Sequence, residues 1–171
     1  MGFLTGLRGP DAEFDPYDAF VPDHLPEPGS FLADGRVLSG MDHVACHRLS
    51  RRLFAARGVY DVTFGYNLAR LNLDHRHPDA GFRYAVERGG PDSSPVLRAE
   101  FTPTTEFCPQ SEALTVGAFR AWNGASDQHE YARVDVRVAQ MHQNAATINR
   151  TLRRLEAGYR ETGRVPDSRD E

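Results

Sequence analysis

The chain has 171 residues, of which 40% are hydrophobic and 26% are charged, and its formal net charge is −4. These values suit one globular domain with a real core, and they exclude collagen-like, fully disordered and disulfide-scaffold proteins. No apolar stretch approaches the roughly 20 residues of a membrane helix, and the start lacks a signal-peptide pattern, so we expect no membrane association and a cytoplasmic location. The acidic balance gives no general attraction to nucleic acid.

The residue types present exclude several kinds of chemistry. Every basic residue other than histidine is arginine, which excludes Schiff-base and lysine-nucleophile catalysis. Cysteine occurs only as Cys46 and Cys108, without a Cys-x-x-Cys pair, so a zinc ribbon or a self-contained four-cysteine cluster site is excluded. The sequence also lacks the P-loop, GxSxG, HExxH and GxGxxG motifs.

The two ends of the chain differ from its middle. Residues 1–38 predict an extended N-terminal arm, because the prolines between Pro10 and Pro28 disfavour both helix and central strand. Its aromatic side chains are suited to hold it on the surface of a domain: Phe14, Tyr17 and Phe20. Residues 164–171 are polar and predict a frayed tail, which leaves residues 39–163 as a single domain.

The first predicted helix begins at Ser39 and ends at Gly58. Ser39 and Asp42 resemble a capping box, and glycine commonly follows the last residue of a helix. Apolar side chains recur at helical spacing along it: Met41, Ala45, Leu49 and Leu53. The following stretch, residues 62–73, fits both the alternation of a strand and one face of a helix, so its structure stays open.

The remaining elements alternate between strands and helices. The patterns predict a strand over 82–86, a turn at 89–92, a strand over 97–101, a helix over 109–122, a strand over 132–138 and a helix over 145–160. Because the strands are half polar, helices need to cover only one of their faces. We therefore predict an α+β fold, a two-layer sandwich whose small, mainly antiparallel or mixed sheet of three or four strands is covered by helices on one face.

Cys108 is the most informative candidate residue. It stands immediately before Pro109, and proline is favoured at the first helical position, so we expect Cys108 to cap the central helix. The positive end of the helix dipole would favour a thiolate, which is a nucleophile or a soft-metal ligand. A small, buried and inert cysteine is the alternative. The loop around Cys108 supplies further polar side chains: Thr102, Thr104, Thr105, Glu106 and Ser111.

The segment AEFTPTTEFCP, residues 99–109, resembles the strand–loop–cysteine signature of small iron–sulfur cluster assembly domains. That family includes the SufT- and PaaD-type bacterial proteins and the small targeting subunit of the eukaryotic cytosolic iron–sulfur assembly machinery. Residues 81–86 and 131–138 are similar to its first and third strands, and the segment after His142 is similar to the start of its last helix. The resemblance covers about residues 78–160.

The resemblance implies a non-enzymatic iron–sulfur protein maturation factor, a scaffold, carrier or targeting component that acts through Cys108. It would hold a transient iron–sulfur cluster or iron. Because one cysteine cannot complete a cluster, a second copy in a homodimer, another assembly protein or a client apoprotein would supply the other ligands. The resemblance also places His142 near the cysteine loop. Glu106 departs from the family pattern, which usually has proline at that position, and its charge would oppose formation of the thiolate.

A second constellation consists of His43, Cys46 and His47. On a helix these residues share one face, with a spacing that suits zinc or iron ligands. His75 and His77, in a predicted loop, would complete such a site. A zinc- or iron-binding protein is therefore the alternative function.

Two other interpretations stay open. One is a protein-interaction module that has the same fold and no role in cluster chemistry. The other is a Cys–His hydrolase formed by Cys108 and His142, although so small a domain offers little room for a substrate cleft.

Overall fold

The computed structural model describes residues 13–88 and 94–165. Within them the elements follow in the order α1 (Ser30–Ala33), β1 (Arg36–Val37), α2 (Gly40–Arg57), β2 (Gly81–Glu87), β3 (Val96–Thr102), α3 (Ser111–Asn123), β4 (Arg133–Val138) and α4 (Ala145–Thr162). Short 3-10 turns occur at Pro22–His24, Leu68–Leu73 and Ser126–Gln128. The predicted turn at 89–92, and the predicted tail from residue 166 onward, lie outside the described residues. None of the helices described is long and apolar enough to span a membrane.

The four strands form one mixed sheet in the order β1-β2-β3-β4. β2 pairs antiparallel with both β1 and β3, and Phe82 lies opposite Phe101 in the β2–β3 pair. β4 runs parallel to β3, and α3 makes the crossover that a parallel pair requires. The predicted α+β class and the mixed four-stranded sheet are therefore confirmed.

The hydrophobic core lies between one face of this sheet and the longer helices. Phe82 of β2 packs against Phe54 of α2, with 5.6 Å between the ring centroids. Trp122 of α3 and Leu152 of α4 are almost completely buried in the same cluster. This is the helical layer that the alternating strand pattern predicts.

The arm covers the other, more polar face of the sheet. The backbone N–H of Gly29 donates a 2.8 Å hydrogen bond to Glu100, and Arg83 donates a 3.0 Å bond to the carbonyl of Pro26. The Phe31 ring lies under the guanidinium of Arg137, at 4.9 Å. Glu100, Arg83 and Arg137 are all buried. The arm provides hydrogen-bond partners for the first two, and Arg137 forms an ion pair with Glu156 of α4 at 3.0 Å. Residues 26–37 of the arm are therefore packed against the sheet, and residues 36–37 form the sheet's edge strand, β1.

Helix α2 has the predicted ends but buries a different face. Gly58 follows its last residue with a φ of 73°, as expected for a left-handed helix end, whereas the Ser39 side chain makes no capping hydrogen bond. Met41 is 70% exposed, although its spacing placed it with the apolar residues. His43, Cys46 and His47 are buried instead. The 62–73 stretch, left open by the sequence, ends in the 3-10 turn Leu68–Leu73.

Candidate metal centre

Cys108 lies in the loop between β3 and α3, and its side chain is partly buried. The prediction that it caps α3 is wrong, because this helix begins at Ser111 and Gln110 occupies the cap position. Cys108 instead belongs to the preceding turns: its N–H donates to the carbonyl of Thr105, and its carbonyl accepts from the N–H of Ser111, both at 3.4 Å. The thiol is therefore displaced from the helix end that was expected to favour its ionisation.

The polar side chains of this loop do not hold the thiol by hydrogen bonds. The Thr105 hydroxyl accepts a hydrogen bond from the Phe107 N–H at 3.2 Å, and the Ser111 side chain is fully buried. Thr102 and Thr104 are partly buried, whereas the Glu106 side chain is exposed. Among the described residues, none of these hydroxyls forms a hydrogen bond with the Cys108 sulfur.

His142 contacts the backbone of the cysteine loop. Its Nε2 lies 2.8 Å from the carbonyl oxygen of Cys108, and its Nδ1 accepts a 2.9 Å hydrogen bond from the N–H of Asn144. The acceptor role of Nδ1 makes Nε2 the protonated nitrogen that donates to the carbonyl. Both ring nitrogens are therefore occupied, and neither is placed to activate the thiol as a Cys–His hydrolase would require.

His47 sits in a buried hydrogen-bond network. Its Nε2 donates to the carbonyl of Ala69 at 2.7 Å, and its Nδ1 accepts from the Tyr84 hydroxyl at 2.6 Å. The Ser50 hydroxyl donates in turn to the Tyr84 oxygen, at 2.7 Å. Burial lowers the pKa of His47 to about 4, although its bond to Ala69 acts in the opposite direction.

His43 and Cys46 belong to the same packed layer. Burial, reinforced by the neighbouring His47 and Arg83, lowers the pKa of His43 to about 3. Burial also raises the pKa of the Cys46 thiol. His43, Cys46 and His47, the predicted alternative ligands for zinc or iron, are part of the core, and both nitrogens of His47 already have protein partners. Within the described residues their ligand atoms do not converge as a group.

A different set of ligand side chains meets where the arm crosses the loop before β2. Asp15 Oδ2 lies 2.7 Å from His24 Nδ1, and Asp15 Oδ1 lies 2.8 Å from His75 Nε2. One ligand atom from each of the three residues lies within 4.8 Å of the other two. In the parts of the chain described, this Asp15–His24–His75 triad is the one group of three or more His, Cys, Asp or Glu side chains with that geometry.

Backbone pairing fixes the position of the triad. The N–H of Asp15 donates to the carbonyl of Leu73 at 2.8 Å, and the N–H of His75 donates to the carbonyl of Glu13 at 2.7 Å. These bonds hold residues 13–15 antiparallel to residues 73–75, with Phe14 opposite Asp74, so that Asp15 and His75 lie diagonally across the pair and their side chains meet. His24 reaches the same place from the end of its 3-10 turn. His77, expected near such a site, packs against Phe64 instead, at 4.7 Å.

The triad combines a mostly shielded carboxylate with two accessible imidazoles. The exposed fraction is 13% for the Asp15 side chain, 34% for His24 and 38% for His75. Burial raises the pKa of Asp15, but the hydrogen bonds from His24 and His75 outweigh it and hold the pKa below its ordinary value. The carboxylate therefore stays charged at neutral pH, next to nitrogen atoms that solvent can reach.

Two imidazoles and one carboxylate are the ligand set of many zinc and non-haem iron centres. Metal–ligand distances of about 2.0–2.1 Å imply ligand atoms about 3.3 Å apart in a tetrahedral site. The two contacts of Asp15, 2.7 and 2.8 Å, are shorter than that value, and all three ligand atoms lie within 4.8 Å of one another. Three protein ligands also leave a coordination position for water or a small ligand.

The sequence indicated only one member of this triad. His75 is one of the predicted candidate metal ligands. Asp15 and His24 lie in the arm, for which the sequence predicts only surface contacts made by aromatic residues. One local signal was present, since His24 is the single histidine of the arm and is surrounded by acidic residues and prolines.

A family model described as "Domain of unknown function (DUF7998)" matches residues 12–166. The matched range contains the whole triad, the Cys108 loop and the part of the arm described above. No curated protein and no solved structure matches the chain.

Proposed function

We propose that this chain, which belongs to the family described as Domain of unknown function (DUF7998), binds a divalent transition metal ion. The ligands are Asp15, His24 and His75. Zinc and iron(II) suit this ligand set best, because imidazole nitrogen and carboxylate oxygen are ligands that both ions accept. The observation that carries this proposal is the convergence of three ligand atoms within 4.8 Å, from segments as much as 60 residues apart.

Two features support a metal rather than a hydrogen-bonded cluster alone. The charge of Asp15 is maintained at neutral pH, which provides a negative ligand for a cation. The two histidines remain accessible, so an ion can enter without rearrangement of the core. Because two backbone hydrogen bonds already hold the segments of Asp15 and His75 together, little conformational entropy is lost when the ion binds.

The experiment is a titration of the metal-free full-length chain with Zn²⁺, followed by calorimetry, and with Co²⁺, followed by its visible absorption. We expect one ion per chain. Asp15→Asn and His75→Ala should each lower the Zn²⁺ affinity by more than the roughly 10–100-fold seen when a residue that only supports a metal ligand is replaced. His77→Ala is the matched control, since it removes a histidine from the same loop but not from the triad, and it should bind normally. Equal binding by all four proteins, or none by the unmodified chain, would contradict the proposal.

A second candidate function follows from the resemblance to iron–sulfur assembly domains. We propose as this alternative that Cys108 holds iron or a transient cluster together with a second copy, another assembly protein or a client apoprotein in the cytoplasm. The specific observation in its favour is accessibility, because Cys108 is only partly buried whereas Cys46 is buried in the core. The exposed side chains of Phe107 and Met141 flank the same region and offer apolar surface to such a partner.

The two candidates make opposite predictions for two variants. If Cys108 is the functional group, Cys108→Ser should abolish alkylation at neutral pH and anaerobic uptake of iron and sulfide, whereas His75→Ala should retain both. If the triad is the functional site, Cys108→Ser should retain stoichiometric Zn²⁺ and His75→Ala should lose it. Cys46→Ser controls for the loss of a cysteine elsewhere in the chain, and thermal unfolding confirms that each variant is folded.

A further inference from the structure

A cleft of about 770 Å³ opens between the arm and the body of the domain. Residues 14–17 of the arm form one wall. Arg51 of α2 lies on the opposite side, together with Tyr60, Tyr66 and other residues of the segment that leads to β2. A volume of this size falls within the range of small-molecule sites in proteins.

Four aromatic residues line the cleft: Phe14, Tyr17, Tyr60 and Tyr66. Phe14 and Tyr66 meet edge to face, with their centroids 5.9 Å apart. Tyr60 is 45% exposed, so a large part of its ring is free to contact a ligand. Flat apolar groups pack favourably against such rings, because the rings bury area with little loss of side-chain freedom.

The polar character of the cleft is cationic. The Arg51 guanidinium lies 4.6 Å from the centroid of the Tyr17 ring, which fixes its position at the wall. Within the residues that the structure describes, no carboxylate pairs with Arg51. The Asp15 carboxylate, on the arm wall, is already engaged by His24 and His75. An anionic group entering the cleft would therefore meet the positive charge of Arg51, which has no counter-ion in the described ranges 13–88 and 94–165.

We propose that this cleft binds a small organic anion, in which a carboxylate or phosphate is attached to a flat, apolar group. The anionic group pairs with Arg51, and the flat group packs against Tyr60 and Tyr66. Guanidinium recognises carboxylate and phosphate with the same two-pronged hydrogen-bond geometry, so the charge and the flat body define the ligand class.

The position of the arm adds a coupling between this cleft and the triad. Asp15 belongs to the triad, and its neighbours Phe14 and Tyr17 form the arm wall of the cleft. This coupling, which rests on the proposed metal site, follows because Asp15 itself lines the cleft, and an ion bound to its carboxylate would offset a negative charge that opposes an anion there. By linkage, metal and anion should each increase the affinity of the chain for the other by the same factor.

The test uses the full-length chain without metal, and benzoate and phenyl phosphate as probes, with binding followed by calorimetry and NMR. Benzyl alcohol and benzylamine have the same ring with a neutral or a positive group. We expect saturable binding of at least one anion and weaker binding of both controls. Arg51→Gln should weaken anion binding by at least about tenfold, as expected for loss of a charge-assisted contact. Arg52→Gln removes an exposed arginine beside it that does not line the cleft, and it should have no effect.

The outcomes separate the two proposals. Absence of binding by both anions, equal binding of benzylamine, or equal effects of the two arginine substitutions would overturn the cleft as an anion site. Saturating Zn²⁺ should tighten anion binding to the unmodified chain but not to His75→Ala. If anions bind and Zn²⁺ binds without changing their affinity, the coupling is wrong and the cleft stands. If Zn²⁺ itself does not bind, the metal site fails while the result for the cleft remains valid.

Discussion

His43→Phe should make this protein more resistant to acid. The His43 ring is 2% exposed and packs against Phe20 at 5.0 Å and against His47 at 5.5 Å. Its Nδ1 is buried and has no hydrogen-bond partner among the described residues. Phenylalanine keeps an aromatic ring in this layer and removes both the unpaired polar atom and the titrating group.

The pKa of His43 sets the size and the sign of the effect. Burial lowers this pKa from 6.5 to about 3 in the folded chain. Its contribution to the free energy of unfolding is therefore fully present above pH 6.5 and is lost progressively as the pH falls toward 3, because the unfolded chain binds the proton first. At about 1.4 kcal/mol per pH unit, a change from neutral pH to pH 5 costs about 2 kcal/mol through this residue.

The assay is urea unfolding at pH 7.5 and at pH 5.0, followed by the fluorescence of the buried Trp122. Between these two pH values the unmodified chain should lose about 2 kcal/mol more free energy of unfolding than His43→Phe does. His77→Phe is the control, since it removes a histidine that lies outside the core. An identical pH dependence for His43→Phe and the unmodified chain would refute the reasoning.

Three other substitutions test separate parts of the fold. Burial and the nearby Glu156 raise the pKa of Asp135 to about 6, so the stability that this residue contributes at low pH is lost as the pH rises through that value. In urea unfolding, Asp135→Asn should therefore gain stability relative to the unmodified chain between pH 5 and pH 7.5. A constant difference between the two proteins would contradict this. Gly81 has a φ of 115°, and an added Cβ would collide with the Asn72 side chain. Gly81→Ala should therefore lower the free energy of unfolding by about 2 kcal/mol or more, and an unchanged melting temperature would exclude that strain. Leu152→Ala should cost about 2–5 kcal/mol in the same urea assay, and a cost below about 1 kcal/mol would show that the site collapses around the missing side chain.

The strands and the longer helices could be predicted because their signals are local. Alternation over residues 132–138 corresponds to β4, and Gly58 closes α2 with the expected left-handed backbone. The cover of the second sheet face could not be predicted in this way. Arg83, Glu100 and Arg137 alternate with apolar residues as solvent-facing side chains do. Contacts from distant segments, the arm and, for Arg137, Glu156 of α4, make them buried.

The candidate site shows the same division between local and long-range information. The spacing of His43 and His47 suits metal ligands, but tertiary packing gives both nitrogens of His47 to Ala69 and Tyr84. His75 was a candidate ligand, yet its partners come from the arm, and no pattern within one segment indicates a pairing across 60 residues. The two-residue error in the start of α3 had a local cause, since Pro109 also fits a turn before the helix.

During translation, the arm is synthesised before the strands against which it packs in the folded protein. Gly29 is synthesised 71 residues before Glu100, the side chain that accepts its hydrogen bond. Contacts between such distant residues form slowly, because a long loop must close before any of them is made. A nascent chain therefore holds Phe20 and Phe31 without their partners Arg83 and Arg137 until β2 and β4 have emerged. Docking of the arm is the step that ends this interval of vulnerability to aggregation.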